Sequence, residues 1–334
     1  MPVDVPELPR ITRTEIADAL NGLSTPRVIR GLVADWPLVA CSRHSPRAAM
    51  DHLSRFDVGL PLQALVTEPE SGGRLFYNDD LTDFNFRPER VVLGAVLDTL
   101  QRLQDEQTPP SIYVGSTSIE TFLPGLSEAN PMPGLPADAL ASIWLGNRSR
   151  IAAHHDLPDN LACVAAGRRR FTLFPPEQIG NLYIGPIDFT PAGQAISLVD
   201  FAAPDLERFP RFSAALEAAQ VVELEAGDAL FIPSLWWHHV EGLEAFNVLI
   251  NYWWRGVPTW QESPMHALML ALISLRNLPA HQRAAWQALF QHYVFADHET
   301  SIAHIPEHAR RILGPLDAQR VGDVREHLRQ RLGR

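Results

Sequence analysis

Hydrophobic and polar positions divide the chain into three zones with different periodicities. Residues 1–110 mix helical spacing with short apolar runs. Residues 111–257 consist of short apolar or alternating runs separated by Gly, Pro, Asn and Asp, and residues 258–334 return to helical spacing. Alternation with a period of two predicts strands, whereas apolar residues every three or four positions predict amphipathic helices. The pattern therefore predicts an N-terminal α/β region, a central β-rich domain and a C-terminal helical region.

The first zone carries three helix signals. Thr12 and Glu15 have the spacing of a capping box, and Ser45 followed by Pro46 is typical of a helix start. Apolar residues at helical spacing predict a third helix over 88–105. A short apolar strand leads into a turn between the first two helices. This zone is expected to pack on the β domain.

The central zone contains nine short apolar or alternating runs, which predict strands. Many short strands at close spacing favour a sandwich or a small barrel. A single helical insert is predicted near 211–219. The chain as a whole is thus expected to be mainly β with flanking helices.

The third zone opens with Ser263 and Pro264, which predict the start of a helix over 264–275. This segment is apolar nearly all round, and such helices are usually buried on several sides. Two interpretations stay open for residues 258–334. The region is either a helical buttress or a dimerisation element that would make the chain a homodimer.

Charge and composition narrow the classes of function. The 334 residues include no lysine and carry a formal net charge of −11. Chemistry that needs a lysine amine, such as a Schiff base, a pyridoxal-phosphate anchor or a Walker-type phosphate site, is therefore excluded. Broad nucleic-acid binding is not expected, because it requires a basic surface.

The two cysteines, Cys41 and Cys163, are too few for a disulfide framework, which suits the reducing cytoplasm. The N-terminal residues lack the apolar stretch of a signal peptide, and no run approaches the length of about 18 apolar residues that a membrane span needs. We therefore expect a cytoplasmic protein without a membrane partner.

Two motifs in the β zone carry candidate metal ligands. His154 and Asp156 lie two residues apart in a predicted strand, so both side chains are expected on one face, with His155 on the other. A histidine beside a carboxylate supplies two of the three ligands of a non-haem Fe(II) facial triad. A second motif places His238 and His239 after an apolar strand, and His238 is the candidate third ligand.

The ordered set of motifs resembles the JmjC-type cupins. The set comprises the His-x-Asp pair, Asn160, the run GRRRFTLFPP, the run GDALFIPSLWWHH and the run NYWW, and the entry segment PRVIRGLVADWP precedes them. The resemblance covers roughly residues 25–257. It is strongest to the hydroxylase-like branch that includes the asparaginyl hydroxylase of hypoxia-inducible factor. Members are Fe(II)- and 2-oxoglutarate-dependent oxygenases on a double-stranded β-helix, a cupin or jelly-roll fold.

The resemblance implies a role for seven residues, all as expectations. His154, Asp156 and His238 match the iron ligands and would be the catalytic centre. The remaining four match residues around the 2-oxoglutarate cosubstrate: Asn160 and Asn251 near its iron-bound end, and Tyr113 and Arg169 at its distal carboxylate.

Two positions depart from the family pattern. Arg169 stands where relatives usually have a lysine, and Ile151 stands where they commonly have a threonine. Alternation places Arg169 on the same face as Phe171 and Leu173, so its charge points inward and needs a partner. A dicarboxylate is such a partner, because guanidinium binds carboxylate through two parallel hydrogen bonds. A protein carboxylate is the alternative partner.

The function implied is hydroxylation of a C–H bond with Fe(II), 2-oxoglutarate and O2, most readily on a protein or peptide side chain. A modified tRNA base or a small metabolite is an alternative substrate, and N-methyl demethylation would begin with the same hydroxylation. A competing hypothesis is a cupin-like metal-binding module without efficient 2-oxoglutarate turnover, which the residues at 151 and 169 favour.

Overall fold

The computed structural model describes residues 2–191 and 193–333, and it leaves the side chain of His298 undescribed. The strands are β1 Val3–Asp4, β2 Arg27–Ile29, β3 Pro61–Thr67, β4 Arg74–Leu75, β5 Phe86–Val92, β6 Ser111–Ser118, β7 Leu140–Gly146, β8 Ser149–His154, β9 Asp159–Ala166, β10 Arg168–Phe174, β11 Gln220–Glu225, β12 Ala229–Ile232, β13 Trp237–Gly242 and β14 Asn247–Trp254.

The α-helices are α1 Ile16–Leu20, α2 Pro37–His44, α3 Pro46–Ser54, α4 Leu93–Leu103, α5 Ile119–Phe122, α6 Leu126–Ala129, α7 Phe212–Glu217, α8 Pro264–Leu275, α9 Ala280–Phe290, α10 His298–Ile302 and α11 Ala318–Leu332. Short 3₁₀ turns span Arg13–Glu15, Pro69–Ser71, Pro176–Gly180, Glu307–Ala309 and Arg311–Leu313, and a π-helical turn spans Gln291–Phe295.

The chain divides into two compact units, residues 1–255 and 256–334. The first unit contains a six-stranded sheet in the order β1-β11-β10-β13-β8-β4 and an eight-stranded sheet in the order β2-β12-β9-β14-β7-β6-β3-β5. Apart from two parallel edge pairings, β1 with β11 and β4 with β8, the strands pair antiparallel. These two sheets with flanking helices are a jelly-roll β-sandwich, which confirms the predicted mainly β fold class.

The central strands are apolar on both faces because two cores cover the eight-stranded sheet. In β9, Leu161 and Cys163 pack into the core formed with the N-terminal helices, while Ala162 and Val164 pack between the sheets. On the opposite sheet, alternation along β10 places Phe171 among the residues of the core between the sheets. The near-continuous apolar runs of the sequence follow from burial on both sides.

Residues of the first predicted zone belong to the same unit as the sandwich. Strands β2, β3 and β5 extend the eight-stranded sheet, and α1 to α4 cover its outer face. The expected helix signals form: the backbone N–H of Thr12 donates to Glu15 Oε2 at 2.7 Å, and the Ser45 hydroxyl accepts from the Ala48 N–H at 3.1 Å. The predicted helical insert is α7.

The predicted helix over 88–105 was wrong at its start. Residues Phe86–Val92 are a strand, and the helix is confined to Leu93–Leu103. β5 pairs only with β3 at the edge of its sheet, so Pro88 removes no ladder hydrogen bond that a central strand would need. The β-branched pair Val91 and Val92 suits the strand and happens to continue the helical spacing of α4.

The expectation that α8 is buried on several sides was also wrong for the single chain. No residue of α8 is buried, and Ile273 is 81% exposed. Within its own unit, the helix instead shares an open apolar groove with α9, lined by Leu268, Leu272, Trp286 and Phe290 among others. Among the described residues, none of the helices is both long and apolar enough to cross a membrane.

Candidate metal centre

A cavity of about 140 Å³ in the first unit is lined by residues from both sheets. All seven residues singled out from the sequence lie on its wall: Tyr113, His154, Asp156, Asn160, Arg169, His238 and Asn251. They come from six strands and one loop, so the cavity gathers residues that are up to 138 positions apart, from Tyr113 to Asn251.

Three side chains at one end of the cavity form a cluster of metal-ligand type. His154 is the last residue of β8 and is the cross-strand partner of His238 on β13. Their ring centroids lie 4.3 Å apart, and His238 Nε2 lies 3.6 Å from Asp156 Oδ2. One ligand atom from each of these three residues falls within 4.8 Å of the other two. Two imidazoles and one carboxylate at this spacing fit a divalent transition metal.

The two imidazoles have the same tautomer. His154 Nδ1 lies 2.9 Å from the carbonyl oxygen of Ala152, and His238 Nδ1 lies 3.0 Å from that of Trp236. A carbonyl oxygen only accepts, so each Nδ1 carries a proton, and a neutral ring protonated at Nδ1 keeps its lone pair on Nε2. Burial lowers the pKa of His238, and the neighbouring His154 lowers it further. The ring is therefore held in the neutral form that binds metals.

Asp156 reaches this cluster from a loop and not from the strand that the alternation predicted, because β8 ends at His154. Two hydrogen bonds join this loop to the turn between β12 and β13. The backbone N–H of Leu235 donates to the Asp156 carbonyl at 2.9 Å, and the Ser234 hydroxyl donates to the Leu157 carbonyl at 2.6 Å. Leu235 itself has φ 67°. These contacts bring the carboxylate back toward the histidines.

Arg169 lies on the cavity wall almost without polar partners. It is 2% exposed, its Nη2 is 3.4 Å from the Trp144 carbonyl oxygen, and its Nε has no hydrogen-bond partner. Among the described residues it forms no ion pair with a carboxylate, which leaves the alternative of a protein partner without support. Burial lowers the pKa of Arg169. A buried guanidinium facing a cavity fits a carboxylate ligand.

Tyr113 and Ile151 line the same cavity as Arg169. Burial raises the pKa of Tyr113 to about 12, although the Arg169 charge opposes the rise, so the phenol stays protonated as a hydrogen-bond donor. Ile151 is buried in the core between the sheets and offers no hydrogen bond. Arg169 and Tyr113 therefore present one cation and one hydroxyl to the cavity, beside an apolar residue at position 151.

Sequence reasoning missed Trp144. Its indole lines the cavity, and Nε1 donates to Asn251 Oδ1 at 2.6 Å. Asn251 Nδ2 in turn donates to Asn160 Oδ1 at 3.2 Å. The signal was present in the alternation of β7, which puts Ser142, Trp144 and Gly146 on one face, but it needed the register with β14 to show which face that is.

The remaining predicted histidines lie apart from the cluster. The His155 ring packs at 4.7 Å against Trp237, and the His239 ring packs at 4.6 Å against Phe201. Neither lines the cavity. Burial lowers the pKa of His239 to about 3, so it is a neutral, structural residue.

A jelly roll that holds two histidines and one carboxylate beside a buried cavity defines a cupin-type metal-binding protein. Residues 13–259 match the family described as "Cupin-like domain", and the chain belongs to that family. Its relatives include a protein of the JmjC type, so the chain is similar to JmjC-type members of the cupin-like group.

Three relatives illustrate this range. The chain is 38% identical over 126 residues to Lysine-specific demethylase JMJ31 of Arabidopsis thaliana, covering 36% of this chain and 22% of the relative. It is 36% identical over 106 residues to tRNA wybutosine-synthesizing protein 5 of Mus musculus, covering 32% and 30%. It is 31% identical over 159 residues to JmjC domain-containing protein C of Dictyostelium discoideum, covering 44% and 37%. The aligned part is thus well under half of each relative.

Proposed function

We propose that the protein is an Fe(II)- and 2-oxoglutarate-dependent oxygenase that hydroxylates a C–H bond. One observation carries the proposal: a cluster of two histidines and a carboxylate shares its cavity with a buried guanidinium that has no counter-ion among the described residues. A metal with open coordination positions suits the keto-acid end of a keto dicarboxylate, and a separate cation suits the carboxylate at its other end. Family membership supports the same chemistry.

Five residues of the cavity have a direct part in this proposal. His154, Asp156 and His238 would hold the iron, which when bound supplies the activation of O2 that protein side chains lack. Arg169 would bind the distal carboxylate of the cosubstrate through parallel hydrogen bonds, and Tyr113 would add a hydroxyl donor.

Much of the remaining cavity wall is apolar. Leu75, Phe171, Val240 and Leu249 line the cavity and belong to the core between the sheets. Such walls exclude water, which strengthens electrostatic contacts to a charged ligand and limits side reactions of a reactive centre. The chain's own contribution is therefore to orient the cosubstrate and to keep the centre dry.

The test begins under anaerobic conditions with Fe(II) and 2-oxoglutarate. Chelation of iron by the keto acid should give a charge-transfer band near ~500 nm, and air should then yield succinate. Asp156→Ala is the control and should lose both signals. A chain that binds Fe(II) but gives neither band nor succinate is the metal-binding module of the competing hypothesis, and the oxygenase proposal is then wrong.

A protein or peptide side chain is the proposed substrate. The net charge of −11 supports it over a polyanion, and a lysine-specific demethylase is among the relatives. A relative named for tRNA wybutosine synthesis makes a modified tRNA base the second candidate. The choice is tested by substrate-stimulated succinate formation with peptide pools, tRNA and metabolite pools in parallel. Stimulation by tRNA alone would contradict the proposal of a peptide substrate.

A further inference from the structure

Polar side chains form a continuous hydrogen-bonded row along the wall of the cavity. The indole Nε1 of Trp144 donates to Asn251 Oδ1 at 2.6 Å, and Asn251 Nδ2 donates to Asn160 Oδ1 at 3.2 Å. Asn160 Nδ2 then points at Asp156 Oδ2 across 3.5 Å, the longest link of the row. Both asparagines are buried, so their amide groups depend on one another for partners.

The direction of this row is fixed at both ends. An indole nitrogen can only donate, and an ionised carboxylate can only accept. Trp144 therefore requires the oxygen of the Asn251 amide, which leaves the nitrogen of that amide to donate to Asn160. The same reasoning turns the nitrogen of Asn160 toward Asp156. Without the indole N–H, nothing at that end of the row would distinguish the two orientations of the Asn251 amide.

We propose that Trp144 is a positioning residue for Asp156 and acts on it through the amides of Asn251 and Asn160. The inference rests on the proposed metal site. An N–H group aimed at Asp156 Oδ2 holds the carboxylate turned toward His238, whose Nε2 lies 3.6 Å from that oxygen. Hydrogen bonds of this kind orient metal ligands, and their loss typically weakens metal binding by about 10–100-fold.

Trp253 provides a matched control. Its indole lines the same cavity and meets the Trp144 ring edge-on, with centroids 5.6 Å apart and planes at 86°. Its buried Nε1 has no hydrogen-bond partner within the described part of the chain. Trp144→Phe and Trp253→Phe therefore each remove one indole N–H from the same cavity, but only the first interrupts the row.

The experiment titrates the purified 334-residue chain with Mn(II) alone and measures free Mn(II) by electron paramagnetic resonance. Trp144→Phe should raise the dissociation constant by about tenfold or more, whereas Trp253→Phe should leave it unchanged. Asn251→Leu breaks the same row without touching the indole and should weaken binding to a similar extent. A double variant that combines Trp144→Phe with Asn251→Leu should bind Mn(II) no more weakly than Asn251→Leu alone, because the indole acts only through that amide.

The outcomes separate this inference from the proposed function. A wild-type chain that does not bind Mn(II) contradicts the proposed metal site itself. If the wild-type chain binds Mn(II), two results overturn the positioning role. One is a Trp144→Phe variant that binds Mn(II) as tightly as wild type, and the other is a Trp253→Phe variant that binds it as weakly as Trp144→Phe. Thermal melting reports folding of each variant, and if Trp144→Phe is unfolded, Asn251→Leu decides the question.

Discussion

Replacing Arg169 by methionine should stabilise the ligand-free protein and remove its affinity for 2-oxoglutarate. Arg169 is 2% exposed, its Nε has no hydrogen-bond partner, and its one side-chain hydrogen bond within the described residues, to the Trp144 carbonyl oxygen, is 3.4 Å long. Methionine is unbranched and adapts to the same channel without a charge or a donor. The substitution therefore removes an unpaired cation and leaves the packing largely intact.

The expected magnitudes follow from these contacts. An unsatisfied buried donor destabilises a protein by about 1–3 kcal/mol, so Arg169→Met should raise the free energy of unfolding of the ligand-free chain by about that amount. Two charge-assisted hydrogen bonds to a carboxylate contribute about 3–6 kcal/mol together. Their loss should raise the 2-oxoglutarate dissociation constant by about 10²–10⁴-fold, since each 1.4 kcal/mol corresponds to about a factor of ten.

Thermal melting measures both effects. Without ligand, the Arg169→Met variant should melt about 2–4 °C higher for each kcal/mol gained. With Mn(II) present, 2-oxoglutarate should raise the melting temperature of the wild-type chain and leave that of the variant unchanged, because only a ligand that binds the folded state stabilises it.

Arg170→Met is the control, because Arg170 lies on the opposite face of the same strand and pairs with Glu223 at 2.6 Å on the surface. Loss of that exposed pair should change stability by about 0–1 kcal/mol and leave 2-oxoglutarate binding intact. An Arg169→Met chain that is less stable than wild type without ligand, or that keeps the wild-type response to 2-oxoglutarate, would refute the reasoning.

Three further predictions concern the metal ligands, pH and self-association. His154→Ala should abolish Mn(II) binding without unfolding the chain, because its ring lines the cavity and lies outside the main cores; retained affinity in the titration would contradict the triad. Hydrogen bonds from Arg325, His266 and the Ser263 backbone lower the pKa of Glu262 from 4.5 to about 2. A lowered carboxyl pKa contributes stability that is fully present above about pH 4.5 and is lost as the pH falls through about 2. The helicity of the wild-type chain should therefore exceed that of Glu262→Gln at pH 6. Below pH 2 the two chains should have the same helicity. Glu at position 273 in place of the 81% exposed Ile273 should convert a wild-type dimer to monomer in analytical ultracentrifugation, and equal masses for both chains would contradict dimerisation through the helical region.

The fold class was predictable because burial on both sides leaves a strong trace in the sequence. The strand β9 reads as a continuous apolar run, and it is covered by the N-terminal helices on one face and by the opposite sheet on the other. Boundaries were less predictable. The run Val91–Val92 satisfies helical spacing with α4 while pairing in β5, because periodicity alone does not distinguish a strand that leads directly into a helix.

The candidate site was predictable to the extent that its residues sit in ordered motifs. His154 and His238 are cross-strand partners, a contact that only the register of β8 and β13 creates. The reason given for Asp156 was nevertheless wrong, because strand alternation ends at His154 and loop contacts bring the carboxylate to the site. Trp144 was missed because its contact with Asn251 depends on the register between β7 and β14, which the sequence does not give.

Exposure of α8 was unpredictable for a different reason. A helix that is apolar all round is expected to be buried, but the sequence does not say whether the same chain or another molecule packs against it. In the single chain, Leu268 and Met269 are each 48% exposed. The open question is therefore which molecule covers α8. The charge introduced at position 273 tests whether a second copy of the chain does.

Trp144 contacts both Arg169 and the row of amides that leads to Asp156. Its backbone carbonyl accepts from Arg169 Nη2, and its indole donates toward the row that ends at Asp156. Arginine suits this position in a way that lysine does not, because its five N–H groups form a planar fork that can contact the carbonyl and still present two parallel donors to a carboxylate. Ile151, which lines the same cavity, offers no hydroxyl, and we expect the additional donors of the guanidinium to compensate for it. The exchange of lysine for arginine therefore need not weaken cosubstrate binding, and a high 2-oxoglutarate affinity in the wild-type chain, lost in Arg169→Met, is the result that this reasoning requires.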